Sequence, residues 1–181
     1  TYGRLSTANL QNSLYDSYIK AFRWASDRID KDAGGMIGFV TNGAWLDGAA
    51  QNGFRMTLAN EFSSIYVFNL RGNQRTSGEL SRKEGGKIFG SGSRTPISIT
   101  FLVKNTKPED QPANIFYHDI GDYLKLENKL EIISEFGTAT NPLMKWRKIQ
   151  PDKHGDWLNQ RKKGWRCIKS KDSDLDLVAR V

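Results

Sequence analysis

The residues of this chain that could do chemistry are cations set among glycines. Arg71, Asn73, Arg75, Arg82, Lys83, Lys87 and Arg94 fall within residues 71–95, a stretch that also holds six glycines and almost no apolar side chain. Arginine and lysine neutralise phosphates, and asparagine and arginine also read base edges. Glycine lets the backbone approach a polyanion closely. A phosphate-binding loop of the Gly-x-x-x-x-Gly-Lys-[Ser/Thr] kind is absent. From these residues alone, contact with nucleic acid and a mobile surface loop stand at even odds.

Two further groups invite a reading. Asn42-Gly43-Ala44-Trp45 follows a short apolar run, and ligand crevices of open α/β sheets lie at the carboxyl ends of such strands. Asn42 and Trp45 are therefore candidates for an active-site edge, with Trp45 either stacking on a base or packed as core. Residues 144–171 alternate Trp146, Trp157 and Trp165 with lysine and arginine. That pattern suits either backbone and single-strand binding or packing against a neighbouring domain.

Other chemistry is thinly represented. Cys167 is the single cysteine, and His118 and His154 are the two histidines, which excludes a disulfide framework and argues against a zinc site. Asp47 reads as a helix cap rather than a catalyst, and His118 as structural. No Ser/His/Asp arrangement or dense carboxylate cluster is visible, so no catalytic residue and no metal ligand is assigned. The chain opens Thr1-Tyr2-Gly3-Arg4, with neither an initiator Met nor a signal peptide. A piece of something larger is the expectation, with a processed N-terminus as the alternative.

The elements that would position these residues follow from periodicity. A chain of 181 residues suits one domain, and its 20 aromatics argue for folded structure. The net charge of +7 is unevenly spread: residues 71–96 are net +4, residues 144–171 net +8, and the remainder net −5. Such segregation favours an anionic partner. No apolar run is long enough to cross a bilayer, and a reducing cytoplasm is the expected setting. Apolar spacing predicts helices over 14–30, 50–62 and 126–136, the last ended by Gly137. Strands are predicted over 36–41, 64–70, 97–103 and 114–120. The first of these reads as a strand buried on both faces, as in a parallel sheet. Strands 64–70 and 97–103 suit an antiparallel hairpin with a very long connection. The expected fold is α/β, the second half of a sheet, with residues 1–140 as the sheet domain and 141–181 as a basic, Trp-rich extension.

Several strings carry a family likeness. Asn12-Ser13-Leu14-Tyr15-Asp16-Ser17-Tyr18, Arg23-Trp24-Ala25-Ser26-Asp27-Arg28-Ile29, residues 35–45, and Phe62-Ser63-Ser64-Ile65-Tyr66-Val67-Phe68-Asn69-Leu70-Arg71-Gly72-Asn73 resemble the methyltransferase region of single-polypeptide (type ISP) restriction-modification enzymes, often labelled putative helicases. Gly85-Gly86-Lys87-Ile88-Phe89-Gly90-Ser91-Gly92-Ser93-Arg94 continues the likeness. So do Asp119-Ile120-Gly121-Asp122-Tyr123, Ile149-Gln150-Pro151 and Gly155-Asp156-Trp157-Leu158-Asn159-Gln160-Arg161.

The resemblance implies the carboxyl half of a Rossmann-like, adenine-specific DNA methyltransferase sheet that leads towards target recognition. It implies S-adenosylmethionine as cofactor of the parent enzyme, and DNA and the upstream half of the polypeptide as partners. The Gly-rich S-adenosylmethionine loop and the Asn-Pro-Pro-Tyr motif that does the chemistry on a flipped base are both missing from this sequence: its five prolines are nowhere adjacent. On this reading the chain alone methylates nothing. The alternative is a stand-alone, non-catalytic nucleic-acid-binding or assembly module.

Overall fold

In the computed structural model, which describes residues 2–6, 12–30, 32–90, 92–106 and 111–160, five strands form one mixed sheet. They are β1 (Gly35–Asn42), β2 (Ser64–Arg71), β3 (Ile97–Lys104), β4 (Asn114–Asp119) and β5 (Arg147–Ile149). Their order is β1-β3-β2-β4-β5. β3 runs antiparallel to both β1 and β2, β4 is parallel to β2, and β5 is antiparallel to β4. The expected long-range hairpin between β2 and β3 is present, and it alters the place of β1. Because β3 lies between β1 and β2, those two strands share a direction without pairing.

β1 is therefore an edge strand rather than a strand buried on both faces. Ile37 points into the core, but Met36 and Val40 on the other side are 67% and 54% exposed. The apolar run at 36–40 is real, but half of it meets solvent.

Helices α1 (Ser17–Ser26) and α2 (Asn52–Glu61) cover one face of the sheet. Ile19 and Phe22 of the first and Phe54 and Leu58 of the second meet Ile65, Val67, Leu102 and Ile115 of the strands. Trp45 is fully buried among them, its ring edge-on to Phe22, Phe54 and Trp157. The opposite face carries a smaller core of Phe68, Leu70, Ile97, Ile120 and Met144, covered by α4 (Leu126–Phe136).

Residues 142–160 are joined to this sheet. β5 pairs with β4, and Trp157 enters the main core. A buried arginine fastens it. Arg55 on α2 donates from Nε to the Gly155 carbonyl at 2.8 Å and from Nη2 to the Asp156 carboxylate at 2.8 Å. Its Nη1 donates to the carbonyls of Trp45 and Gly48, at 2.7 and 2.8 Å. Every polar edge of the guanidinium is thereby met, the condition under which a buried charge is tolerated.

Candidate nucleic-acid interface

The connection from β2 to β3 is a built structure. It begins at a β-bulge between Asn69 and Arg71, which re-aims the end of β2. Arg71 takes a left-handed backbone conformation (φ 55°), uncommon for a residue with a side chain. Its Nε donates to Asp119 at 2.7 Å, and its Nη1 donates to Asp122. Burial opposes the Asp119 carboxylate, but the Tyr117 hydroxyl, the Arg71 guanidinium and the Gly121 amide outweigh it and hold its pKa below the ordinary value. Arg71 is thus committed to two carboxylates at the ends of the parallel strands. A phosphate at this predicted contact would have to share the guanidinium with both carboxylates.

A short helix, α3 (Gly78–Glu84), stands where the sequence suggested only loop. It has no buried residue, so no apolar stripe announces it; contacts from other elements hold it. The strongest is Lys129 of α4. This side chain is fully buried, and its ammonium donates to the carbonyls of Leu70, Glu84 and Gly86 at 2.9, 2.8 and 2.8 Å. One cation therefore joins the end of β2, the last turn of α3 and the turn after it. Glu84 closes α3, so Lys129 also sits at the negative end of that helix dipole. Burial pulls the Lys129 pKa down to about 8, opposed by the charge of Glu84.

Further bonds fix the rest of the connection. The Gly72 amide donates to the Glu84 carbonyl and the Gly86 amide to the Leu124 carbonyl. Gly85 has φ 67°, and a Cβ there would lie 2.2 Å from the Leu124 oxygen, so no other residue fits. Gln74 and Arg94 are joined twice: the Gln74 amide donates to the Arg94 carbonyl, and the Arg94 guanidinium to the Gln74 carbonyl. The Asn73 side chain accepts from the Arg75 amide at 3.0 Å. Its side-chain oxygen thereby holds a turn.

The cations on display are therefore Arg75, Arg82, Lys83, Lys87 and Arg94, the first, second and last exposed and the lysines half-exposed. Arg82 pairs with Glu79 on the surface of α3 at 2.7 Å, a contact of small energy in water. Tyr123, which also has positive φ, presses its hydroxyl to Glu79 and its amide to the Lys83 carbonyl. The result is a basic ledge with a fixed backbone.

The other predicted site residues lie elsewhere. The Asn42 side chain accepts from the Ala44 amide at 2.9 Å and caps a 3-10 turn. Trp45 takes the core alternative; its complete burial leaves no ring face for a base. Asp47 ends that turn instead of starting a helix, and accepts from Asn159. His118 packs against Phe68, Phe136 and Trp146, as a structural histidine would. Trp146 is half-buried and donates to the Ala139 carbonyl. Trp165 and Cys167 lie outside the described residues. Among the described residues no cluster of metal-ligating side chains occurs, and no helix is long and apolar enough to cross a membrane. Lys129 escaped the sequence reading, although a lysine three residues after Leu126 and four before Ile133 falls on the apolar face of that helix.

No family model and no curated protein matches the chain. Solved structures do. One is a nuclease-deletion mutant of the type ISP restriction-modification enzyme LlaGI in complex with a DNA substrate mimic, 47% identical with a TM-score of 0.82, covering 90% of this chain and 13% of that one. A second is the ATP-dependent type ISP restriction-modification enzyme LlaBIII bound to DNA, 40% identical with a TM-score of 0.83, covering 90% and 10%. A third is a DrdV–DNA complex, 32% identical with a TM-score of 0.78, covering 90% and 15%. This chain spans between 10% and 15% of the length of those proteins. Over nine-tenths of its own length, the chain is a relative of one segment of the type ISP restriction-modification enzymes.

Proposed function

We propose that the chain is a DNA-contacting segment of a restriction-modification polypeptide, and that it completes the sheet of an adenine-specific methyltransferase domain. The observation that carries the first half is the basic ledge. Five cations stand on a backbone that Lys129, Gly85 and the Gln74–Arg94 pair hold in place. The relatives solved on DNA support the same reading. Fixed cations pay less ordering entropy on binding than mobile ones, and a charged ledge speeds the encounter with a polyanion.

The second half rests on β1. Its outer edge carries no strand among the described residues. The adjoining part of the sheet face, with Met36 and Val40, is exposed. A strand paired to that edge and an element laid over that part would close the sheet, and the remainder of the polypeptide is the proposed source. Asn42 caps a 3-10 turn and Trp45 is buried at the carboxyl end of β1. In this reading the cofactor and the groups that act on adenine come from the upstream half, since the Gly-rich loop and the Asn-Pro-Pro-Tyr motif do not occur in this sequence.

Salt dependence tests the ledge. Replacing Arg75, Arg82, Lys83, Lys87 and Arg94 by glutamine should flatten the slope of log K against log salt by about 0.9 for each phosphate contact removed. An unchanged slope would remove the ledge from the DNA interface.

A further inference from the structure

We infer that Phe89 is an apolar wedge that enters the base stack of a bound duplex while the cations beside it hold the backbone. The inference rests on the DNA-contact reading and adds to it a residue that carries no charge. Single exposed hydrophobic residues are ordinary on protein surfaces, so exposure alone, 51% for Phe89, decides nothing. Its setting does.

Phe89 follows Ile88, which packs on the smaller core. Three residues before it, Gly86 is held on both sides: its carbonyl accepts from Lys129 and its amide donates to Leu124. Beyond it, Arg94 is tied twice to Gln74. Phe89 thus belongs to a span anchored at both ends. Next to it the space is open: a Cβ at Gly90 or Gly92 would meet nothing within 4 Å. The space beside the ring is thus free for a ligand to enter. Lys87 and Arg94 flank Phe89 in sequence, so that positive charge accompanies the apolar ring.

Apolar side chains inserted at a base step unstack it and kink the duplex, a cost that backbone contacts offset. A protein partner would instead need an apolar pocket for Phe89 and would have to desolvate the flanking cations as well. Leu80 and Tyr123, each 56% exposed, are the competitors for the role; the Tyr123 hydroxyl is bound to Glu79, and Leu80 follows that carboxylate on α3, where a phosphate is repelled.

The test uses the full chain with duplexes carrying 2-aminopurine at successive positions, at fixed salt. Wild type should raise the fluorescence at one step. Phe89→Ala should abolish that rise and weaken duplex binding about tenfold, with the salt slope unchanged because no charge is lost. Phe89→Leu should retain most of both, since a wedge needs bulk and not a ring. All three proteins should melt alike, because the side chain is exposed.

If Phe89→Ala matches wild type while the five-glutamine variant loses salt dependence, the wedge is wrong and the DNA ledge stands. If wild type binds no duplex, or if neither variant changes binding, both readings fall. If Phe89→Leu fails as fully as Phe89→Ala, and single-strand affinity drops equally, the ring stacks on an unpaired base and the duplex wedge is overturned. If the phenylalanine is needed only for capture of another polypeptide, duplex binding by Phe89→Ala is unaffected, and the wedge is again overturned.

Discussion

Lys129 and Arg55 are buried cations that answer the same problem differently. Arg55 has a carboxylate partner in Asp156, whereas Lys129 has carbonyl oxygens alone as its hydrogen-bond acceptors. Replacing Lys129 with methionine keeps the volume but takes a donor from three carbonyls, of which Glu84 keeps the Gly72 amide. A loss of about 3–5 kcal/mol is expected in denaturant unfolding. The Lys129 amine should titrate near 8 when followed through the nitrogen resonance of labelled lysine. Its folded pKa lies below the unfolded value, so the unfolded chain holds the proton more tightly. Stability should therefore rise as pH climbs from about 8 towards the ordinary lysine value, and Lys129→Met should lack that increment. Arg55→Met strands Asp156 in the core and should also cost about 3–5 kcal/mol, read as a fall in melting temperature. Neither residue stood out in the sequence, because composition does not reveal which cation is inside. The same blindness hides the pairing of Arg71: a charge count cannot see the two carboxylates, 48 and 51 positions away, that it binds.

At the scale of elements, the strands and α4 were legible. The predicted spans 64–70, 97–103 and 114–120 differ from β2, β3 and β4 by no more than one residue at either end, and 126–136 coincides with α4. β-branched and aromatic runs between turn residues carry that information locally. The place of β1 was not legible. A run apolar at every position reads the same at a sheet edge as at its centre, and only the pairing of β3 decides. α3 was hidden because its stability is borrowed from Lys129 and the 123–126 turn rather than from its own pattern. The exposed side of β1 carries a prediction of its own. Val40→Lys should leave melting within about 0.5 kcal/mol of wild type, since the site is on the surface. It should, however, prevent co-purification with the rest of the polypeptide supplied as a separate chain, because a lysine would be trapped in the closed sheet face. Co-purification as strong as wild type would move the seam elsewhere.

For the whole molecule, the two faces of the sheet have separate duties. One face, with α1, α2 and the Trp45 ring cluster, is the load of the fold. The other, with α4, carries the ledge. Residues 144–158 serve both, through Met144 and Trp146 against the second core and Trp157 in the first. The aromatic alternation in that stretch was open between nucleic-acid binding and packing on a neighbouring domain; Trp157 does neither and enters this sheet's own core. This arrangement also fixes an order of events. Arg55 finds two of its acceptors, at Gly155 and Asp156, about a hundred residues downstream, and the Gly86 end of the ledge waits for Lys129. During synthesis at roughly 5–20 residues per second, the ledge segment is made seconds before the side chain that shapes it. A nascent or truncated chain ending short of residue 129 would carry every cation and still lack the grip.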